Sequence, residues 1–230
     1  MDLADNLANI KKRIDEACHR SGRETADIRL MAVSKKMPPE RIDEAAGLGL
    51  QLFGENRIQE AKQKIPLCAG GLEWHGIGHL QTNKARDAVS LFSMLHGIDS
   101  ERLAEEINKQ AEKQAKSQPI LLEVNVAAEA SKFGFSKDTI LESAERINTL
   151  SNVEIHGLMT MAPWSPDSER SRPVFRTLKG IADRLEDAFG APLPVLSMGM
   201  SGDFEVAIEE GSTLIRIGTA LFGKRPDPKA

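Results

Sequence analysis

Short apolar runs alternate with amphipathic stretches along the whole chain, and that alternation restricts the fold more than any other feature. Strand-like runs lie at 28–34, 50–53, 73–77, 93–98, 119–126, 153–159, 193–198 and 213–217. Apolar residues at helical spacing fill the intervals at 39–47, 56–64, 81–89, 100–116, 137–149, 168–189 and 203–210. The first run, Ile28-Arg29-Leu30-Met31-Ala32-Val33-Ser34, is rich in aliphatic residues, as strands covered on both faces are. Parallel neighbours need a crossover connection, and the intervening helices supply it. Eight such units predict an α/β fold whose sheet closes as a (β/α)8 TIM barrel. An open doubly wound sheet is the second possibility; no Gly-x-Gly-x-x-Gly follows the first run, which counts against it. Leu3, Leu7, Ile10, Ile14 and Ala17 recur at helical spacing, so residues 1–21 carry an extra helix (2–21) ahead of the first strand. One domain over 1–230 is expected, because no linker or low-complexity tract breaks the alternation, with 224–230 as a frayed tail.

Composition narrows the classes of partner. The formal net charge of −4 gives no field that would gather nucleic acid or an anionic membrane. Aromatics are 4% of the chain and form no basic, aromatic-interleaved stripe, so a nucleic-acid role has no support. No run reaches the ~18 apolar residues of a membrane span, and the acidic start Met1-Asp2-Leu3-Ala4-Asp5 is unlike a signal peptide. Cys18 and Cys68 stand in unrelated contexts with neither disulfide nor zinc spacing, which points to a reducing cytoplasm.

In barrels of this kind the site is built at the carboxyl ends of the strands. Lys35 ends the first strand here, and Pro38-Pro39 then opens a helix. Glu55 and Asn56 end the second strand, His79 and Asn83 follow the third, and Asp99 ends the fourth. Asn125 lies on the fifth and Thr160 ends the sixth. Each has a plain structural reading, and Asp99 and Asp203 in particular suit helix caps. The seventh strand delivers Ser197-Met198-Gly199-Met200-Ser201-Gly202-Asp203 and the eighth Arg216-Ile217-Gly218-Thr219. These glycine-bearing turns suit an anion, and barrels often bind phosphate after strands seven and eight. A buried lysine that escapes its desolvation cost by reacting with an aldehyde, facing a phosphate site, suggests pyridoxal 5′-phosphate.

Five stretches carry a family resemblance: Ala32-Val33-Ser34-Lys35, Phe53-Gly54-Glu55-Asn56, Trp74-His75-Gly76-Ile77-Gly78-His79-Leu80-Gln81, Ser197-Met198-Gly199-Met200-Ser201 and Arg216-Ile217-Gly218-Thr219-Ala220-Leu221-Phe222-Gly223. In this order they resemble the pyridoxal phosphate homeostasis protein family, whose members look like the barrel of alanine racemase without its second domain. The resemblance implies that Lys35 forms the Schiff base, that Asn56 lies near the ring and His79 near the mouth, and that Arg216 faces the pyridine nitrogen. It further implies that Ser201, Gly218 and Thr219 bind the phosphate, with Met198 in the same cofactor-binding set. An arginine can only donate to an unprotonated ring nitrogen, which leaves the ring a poor electron sink. Two departures stand out: Glu123, where the family more often has Gln, and the loop Pro163-Trp164-Ser165-Pro166.

The same resemblance implies a carrier rather than a catalyst. Racemisation needs a base on each face of the substrate carbon. In alanine racemase the second base is a tyrosine from the other domain, and this chain has no tyrosine. The expected role is therefore to buffer the ligand in the cytoplasm and pass it to apo-enzymes, as a monomer, with effects on amino-acid and keto-acid pools. A racemase using His79 or His75 is the first alternative. A phosphosugar-binding Schiff-base enzyme, relying on Glu55 and Asp99 as acid–base groups, is the second.

Overall fold

The computed structural model describes residues 2–129 and 132–223; the tail at 224–230 lies outside the described residues. Its strands are β1 (Arg29–Val33), β2 (Leu52–Glu55), β3 (Glu73–Gly76), β4 (Met94–Ile98), β5 (Gln118–Glu123), β6 (Val153–Met159), β7 (Val195–Ser197) and β8 (Leu214–Ile217). Each pairs in parallel with the next, and β8 returns to β1 over Arg29↔Leu214 to Ala32↔Ile217, so the sheet is a closed barrel. That pairing rules out the open doubly wound alternative.

The helices are α1 (Leu3–Ser21), α2 (Pro39–Gly47), α3 (Ile58–Lys64), α4 (Ala85–Leu91), α5 (Glu101–Lys113), α6 (Ile140–Asn148), α7 (Arg172–Phe189), α8 (Phe204–Glu209) and α9 (Thr219–Phe222). Proline marks two starts, Pro39 in α2 and Pro173 in α7, where the absent N–H is lost at no cost. The helical pattern over 168–189 opens as a 3₁₀ turn, Ser168–Ser171, before α7 begins at Arg172. The expected extra helix α1 buries Leu3, Leu7, Ile10, Ile14 and Ala17 and ends at Gly22 with φ 66°, a left-handed cap. It is tied to α8 by a two-pronged Arg13–Glu205 pair at 2.7 and 2.8 Å, and Arg13 also sits 4.5 Å above the Phe204 ring.

The core has two layers. Met31, Leu52, Ile77, Met94, Leu121, Met159, Val195 and Leu214 form a separate inner cluster, with a contribution from each strand or its immediate end. Most other buried apolar side chains form a larger cluster between the barrel and its helices. Because side chains alternate across a strand, this inner set fixes which residues face the barrel lumen. In β1 the inward set is Met31, Val33 and then Lys35; in β8 it is Leu214 and Arg216. A register shift in β4 between Leu95 and Ile98 breaks the alternation there.

Candidate functional site

The carboxyl ends of the strands enclose a cavity of about 630 Å³. Lys35, Asn56, His79, Ser201, Arg216, Gly218 and Thr219 all line it, as do Glu123 and Trp164. Seven of the eight expected site residues therefore meet in one place, although they come from five different strand ends.

The chain at Lys35 is held by a buried ionic cluster outside the barrel wall. Ser34 Oγ donates to Glu55 Oε1 at 2.7 Å, and Lys64 Nζ donates to the Ser34 carbonyl at 2.9 Å. Lys64 also reaches Glu55 at 2.8 Å and Glu60 at 2.6 Å, and the Lys36 N–H donates to Glu60. Lys36 takes φ 63° and points to solvent, so the strand turns sharply just after Lys35. Glu55 is buried, and burial pushes its carboxyl pKa up, against the Lys64 and Ser34 bonds that lower it. This corrects the expectation that Glu55 belongs to the mouth: it faces α3, on the opposite side of the wall from the cavity.

Asn56 follows Glu55, and its backbone packs so tightly on Gly78 that a Cβ there would lie 2.2 Å from the Asn56 carbonyl oxygen. Only glycine lets the two loops meet. His79 pairs through Nδ1 with Asp99 Oδ2 at 3.0 Å and stacks on Phe133 at 3.7 Å between ring centroids. Asp99 thus orients a site residue instead of capping a helix. Asn125 and Thr160 hold backbone: Asn125 Nδ2 donates to the Glu129 carbonyl at 2.9 Å, and Thr160 Oγ1 to the Val124 carbonyl at 2.7 Å.

The loop after β7 departs from the sequence reading at one position. Met198 is fully buried in the outer core and does not line the cavity. Its neighbours Met200 and Ser201 line it instead, because Gly199 at φ 93° turns the chain. A Cβ on Gly199 would lie 2.6 Å from that of Ala207. Asp203 pins this loop, accepting from the Met200 N–H at 2.7 Å and from Ser171 Oγ at 3.1 Å. The Ser201 Oγ accepts from the Ala220 N–H at 3.1 Å, which joins the two glycine-bearing turns. The second turn enters α9, a four-residue helix that the sequence reading did not resolve.

Arg216 is 5% exposed and cavity-lining. It donates from Nη1 to the Ser197 carbonyl at 2.6 Å and Ser197 Oγ at 2.7 Å, and from Nη2 to the Thr160 carbonyl at 2.9 Å. Three of about five donors are thereby fixed by the protein, and two remain without a partner among the described residues. Burial lowers its pKa to about 10, with Asp203 and Glu123 opposing, so the guanidinium stays charged at neutral pH. Glu123, across the barrel from Lys35, has a carboxyl pKa raised to about 7 by burial and by Asp99, against Arg216 and Lys132. No side-chain hydrogen bond holds it among the described residues.

Two features were not foreseen. An apolar rim of Phe133, Met161, Trp164 and Met200 borders the cavity, with Trp164 89% exposed. The other is a histidine pair, His75 and His96, sealed inside the barrel beneath the mouth with Nδ1 of the first 2.9 Å from Nε2 of the second. This removes His75 from the mouth; among the described residues His79 is the histidine that lines the cavity.

A lysine amine, a buried arginine with spare donors, and a hydroxyl beside two glycine-bearing turns fit an aldehyde-bearing aromatic phosphate ester. Fold and site together define a barrel of the racemase type, and the family model described as "Alanine racemase, N-terminal domain" matches residues 6–226. Alanine racemase of Clostridium difficile 630 shares the fold alone, at 18% identity and a TM-score of 0.78 over 99% of this chain and 58% of that one. The pyridoxal phosphate homeostasis protein of Aquifex aeolicus (strain VF5) is 44% identical, over 98% of this chain and 99% of the relative. PipY of Synechococcus elongatus PCC7942, solved with PLP bound, is 34% identical with a TM-score of 0.84, over 96% of this chain and 100% of that chain. The chain belongs to the pyridoxal phosphate homeostasis protein family.

Proposed function

We propose that this chain binds pyridoxal 5′-phosphate reversibly on Lys35 and serves as its intracellular buffer and carrier, handing it to apo-enzymes and so influencing amino-acid and keto-acid pools. The observation that carries this reading is the meeting of Lys35, Arg216, Ser201 and Thr219 in one cavity. A Schiff base forms when the Lys35 nitrogen replaces the aldehyde oxygen and water leaves; the reverse step releases the ligand. Arg216 donates to the ring nitrogen, Ser201, Gly218 and Thr219 hold the phosphate, and Asn56 and His79 border the ring. The PLP-bound relative supports the ligand, and the relatives' name supports homeostasis over dedicated catalysis.

The monomeric state we propose rests on the seven expected binding residues meeting in one cavity of a single barrel. Two free cysteines, one of them buried, suit the cytoplasm. The phosphosugar alternative is weakened, because Glu55 is withdrawn behind the wall and bonded to Lys64. A residual racemase is the second reading, and Glu123 favours it, a carboxyl with pKa about 7 across the cavity from Lys35. Transfer of ligand from the loaded protein to an apo-transaminase, measured beside Cα-proton exchange of alanine, separates the two. Carrier function predicts transfer without exchange; exchange that is lost in Glu123→Gln would establish the racemase.

A further inference from the structure

The histidine pair belongs to a longer chain of hydrogen bonds that crosses the barrel from floor to mouth. Glu73 opens β3 at the amino end of the barrel, where Arg29 Nη2 donates to its Oε2 at 2.6 Å. Its Oε1 lies 2.8 Å from His75 Nε2, and His75 Nδ1 lies 2.9 Å from His96 Nε2. His96 Nδ1 then lies 3.1 Å from Ser197 Oγ, which accepts from Arg216 at 2.7 Å.

One proton arrangement satisfies every link. Ser197 accepts from a guanidinium that can only donate, so its own proton goes to His96 Nδ1. His96 is fully buried, and burial holds it neutral, so its single ring proton sits on Nε2 and is donated to His75 Nδ1. His75 is likewise held neutral by burial, and its proton therefore sits on Nε2 and goes to Glu73. The His75 bond and Arg29 keep Glu73 ionised, with its pKa lowered to about 2. Hydrogen bonds that all point one way polarise one another.

Resting on the reading that Arg216 meets the ligand, we infer that Glu73, on the face opposite the cavity, is a positioning residue for Arg216 through His75, His96 and Ser197. If the histidine protons were reversed, His96 would donate to Ser197 Oγ, the Ser197 proton would lose its acceptor, and the hydroxyl would have to rotate and re-aim its lone pairs away from Arg216. The guanidinium would then lose one of the bonds that fix its plane, and its remaining donors would turn from the ring nitrogen. Glu73 touches no ligand, and its side chain is 37% exposed, so its replacement leaves the binding machinery intact.

The test uses ring-nitrogen NMR of the histidines in the intact protein, with and without Glu73→Leu, and pyridoxal phosphate labelled with ¹⁵N in its ring. In the unaltered protein both histidines should be neutral with the proton on Nε2. Glu73→Leu should mix the tautomers, move the ligand's ring-nitrogen resonance, and weaken Kd roughly three- to tenfold, the scale of one hydrogen bond. A proton on His96 Nδ1 in the unaltered protein overturns the inference without any variant. So does a variant whose ligand resonance and Kd match the unaltered protein. Failure of the unaltered protein to hold pyridoxal phosphate would instead sink the site reading, and the histidine spectra would still decide the chain.

Discussion

The two ends of the barrel interior treat a carboxylate in opposite ways. At the floor, Glu73 is met by Arg29 and His75, and these hold its pKa down at about 2. At the mouth, Glu123 has no hydrogen-bond partner among the described residues, and burial raises its pKa to about 7. The floor is internally satisfied, each polar atom from Glu73 to Ser197 having a protein partner. At the mouth, two Arg216 donors and the Glu123 carboxyl have no hydrogen-bond partner among the described residues, beside an open cavity. Buried polar groups left unpaired are costly, and where a fold keeps them they mark a place for something else to bind.

The largest expected effect tests which lysine the mouth presents. Lys35→Ala should abolish the visible absorbance of added pyridoxal phosphate, while Lys36→Ala, at a solvent-facing turn, should retain it. Colour lost only from the Lys36 variant would place the register of β1 off by one residue and invert its faces.

Next comes the buried cluster behind that lysine. Lys64→Met leaves Glu55 without its ion pair in a site where Lys64 is 7% exposed. It should cost about 3–5 kcal/mol in urea denaturation at neutral pH, as removal of one partner from a buried pair does. A loss under about 1 kcal/mol would show that the cluster is solvated like a surface pair.

A smaller effect separates floor from mouth by pH. A raised carboxyl pKa means the folded state binds a proton more tightly than the unfolded chain does. Stability from Glu123 is therefore complete below about pH 4.3 and lost as pH rises through about 7, on the order of 3 kcal/mol in all. Asp99 deepens this slope, and Arg216 and Lys132 reduce it. Glu123→Gln should flatten the stability curve between pH 5 and 8. Glu73, with its pKa depressed, acts in the other direction and only in more acid solution, so its replacement should leave that window flat.

The barrel was legible in the sequence because eight apolar runs separated by helices leave few other ways to bury a parallel sheet. Lys35 was legible for the same reason, since a five-residue strand allows inward positions to be counted from Met31. Met198 was misread because β7 has only three residues and the glycine turn after it resets the direction of the side chains. Glu55 was misread because a strand-end position says nothing of which wall a side chain faces until a partner such as Lys64 is seen. The histidine column was invisible: Trp74-His75-Gly76 and Leu95-His96-Gly97 are 21 residues apart and meet only through the β3–β4 pairing.

The central claim is that Lys35 is the residue that captures the ligand. Borohydride reduction of the protein mixed with pyridoxal phosphate, followed by peptide mass mapping, tests it most directly. One major pyridoxyl adduct is expected, on Lys35, with the visible band lost on reduction. An adduct spread over surface lysines, or none at all, would contradict it.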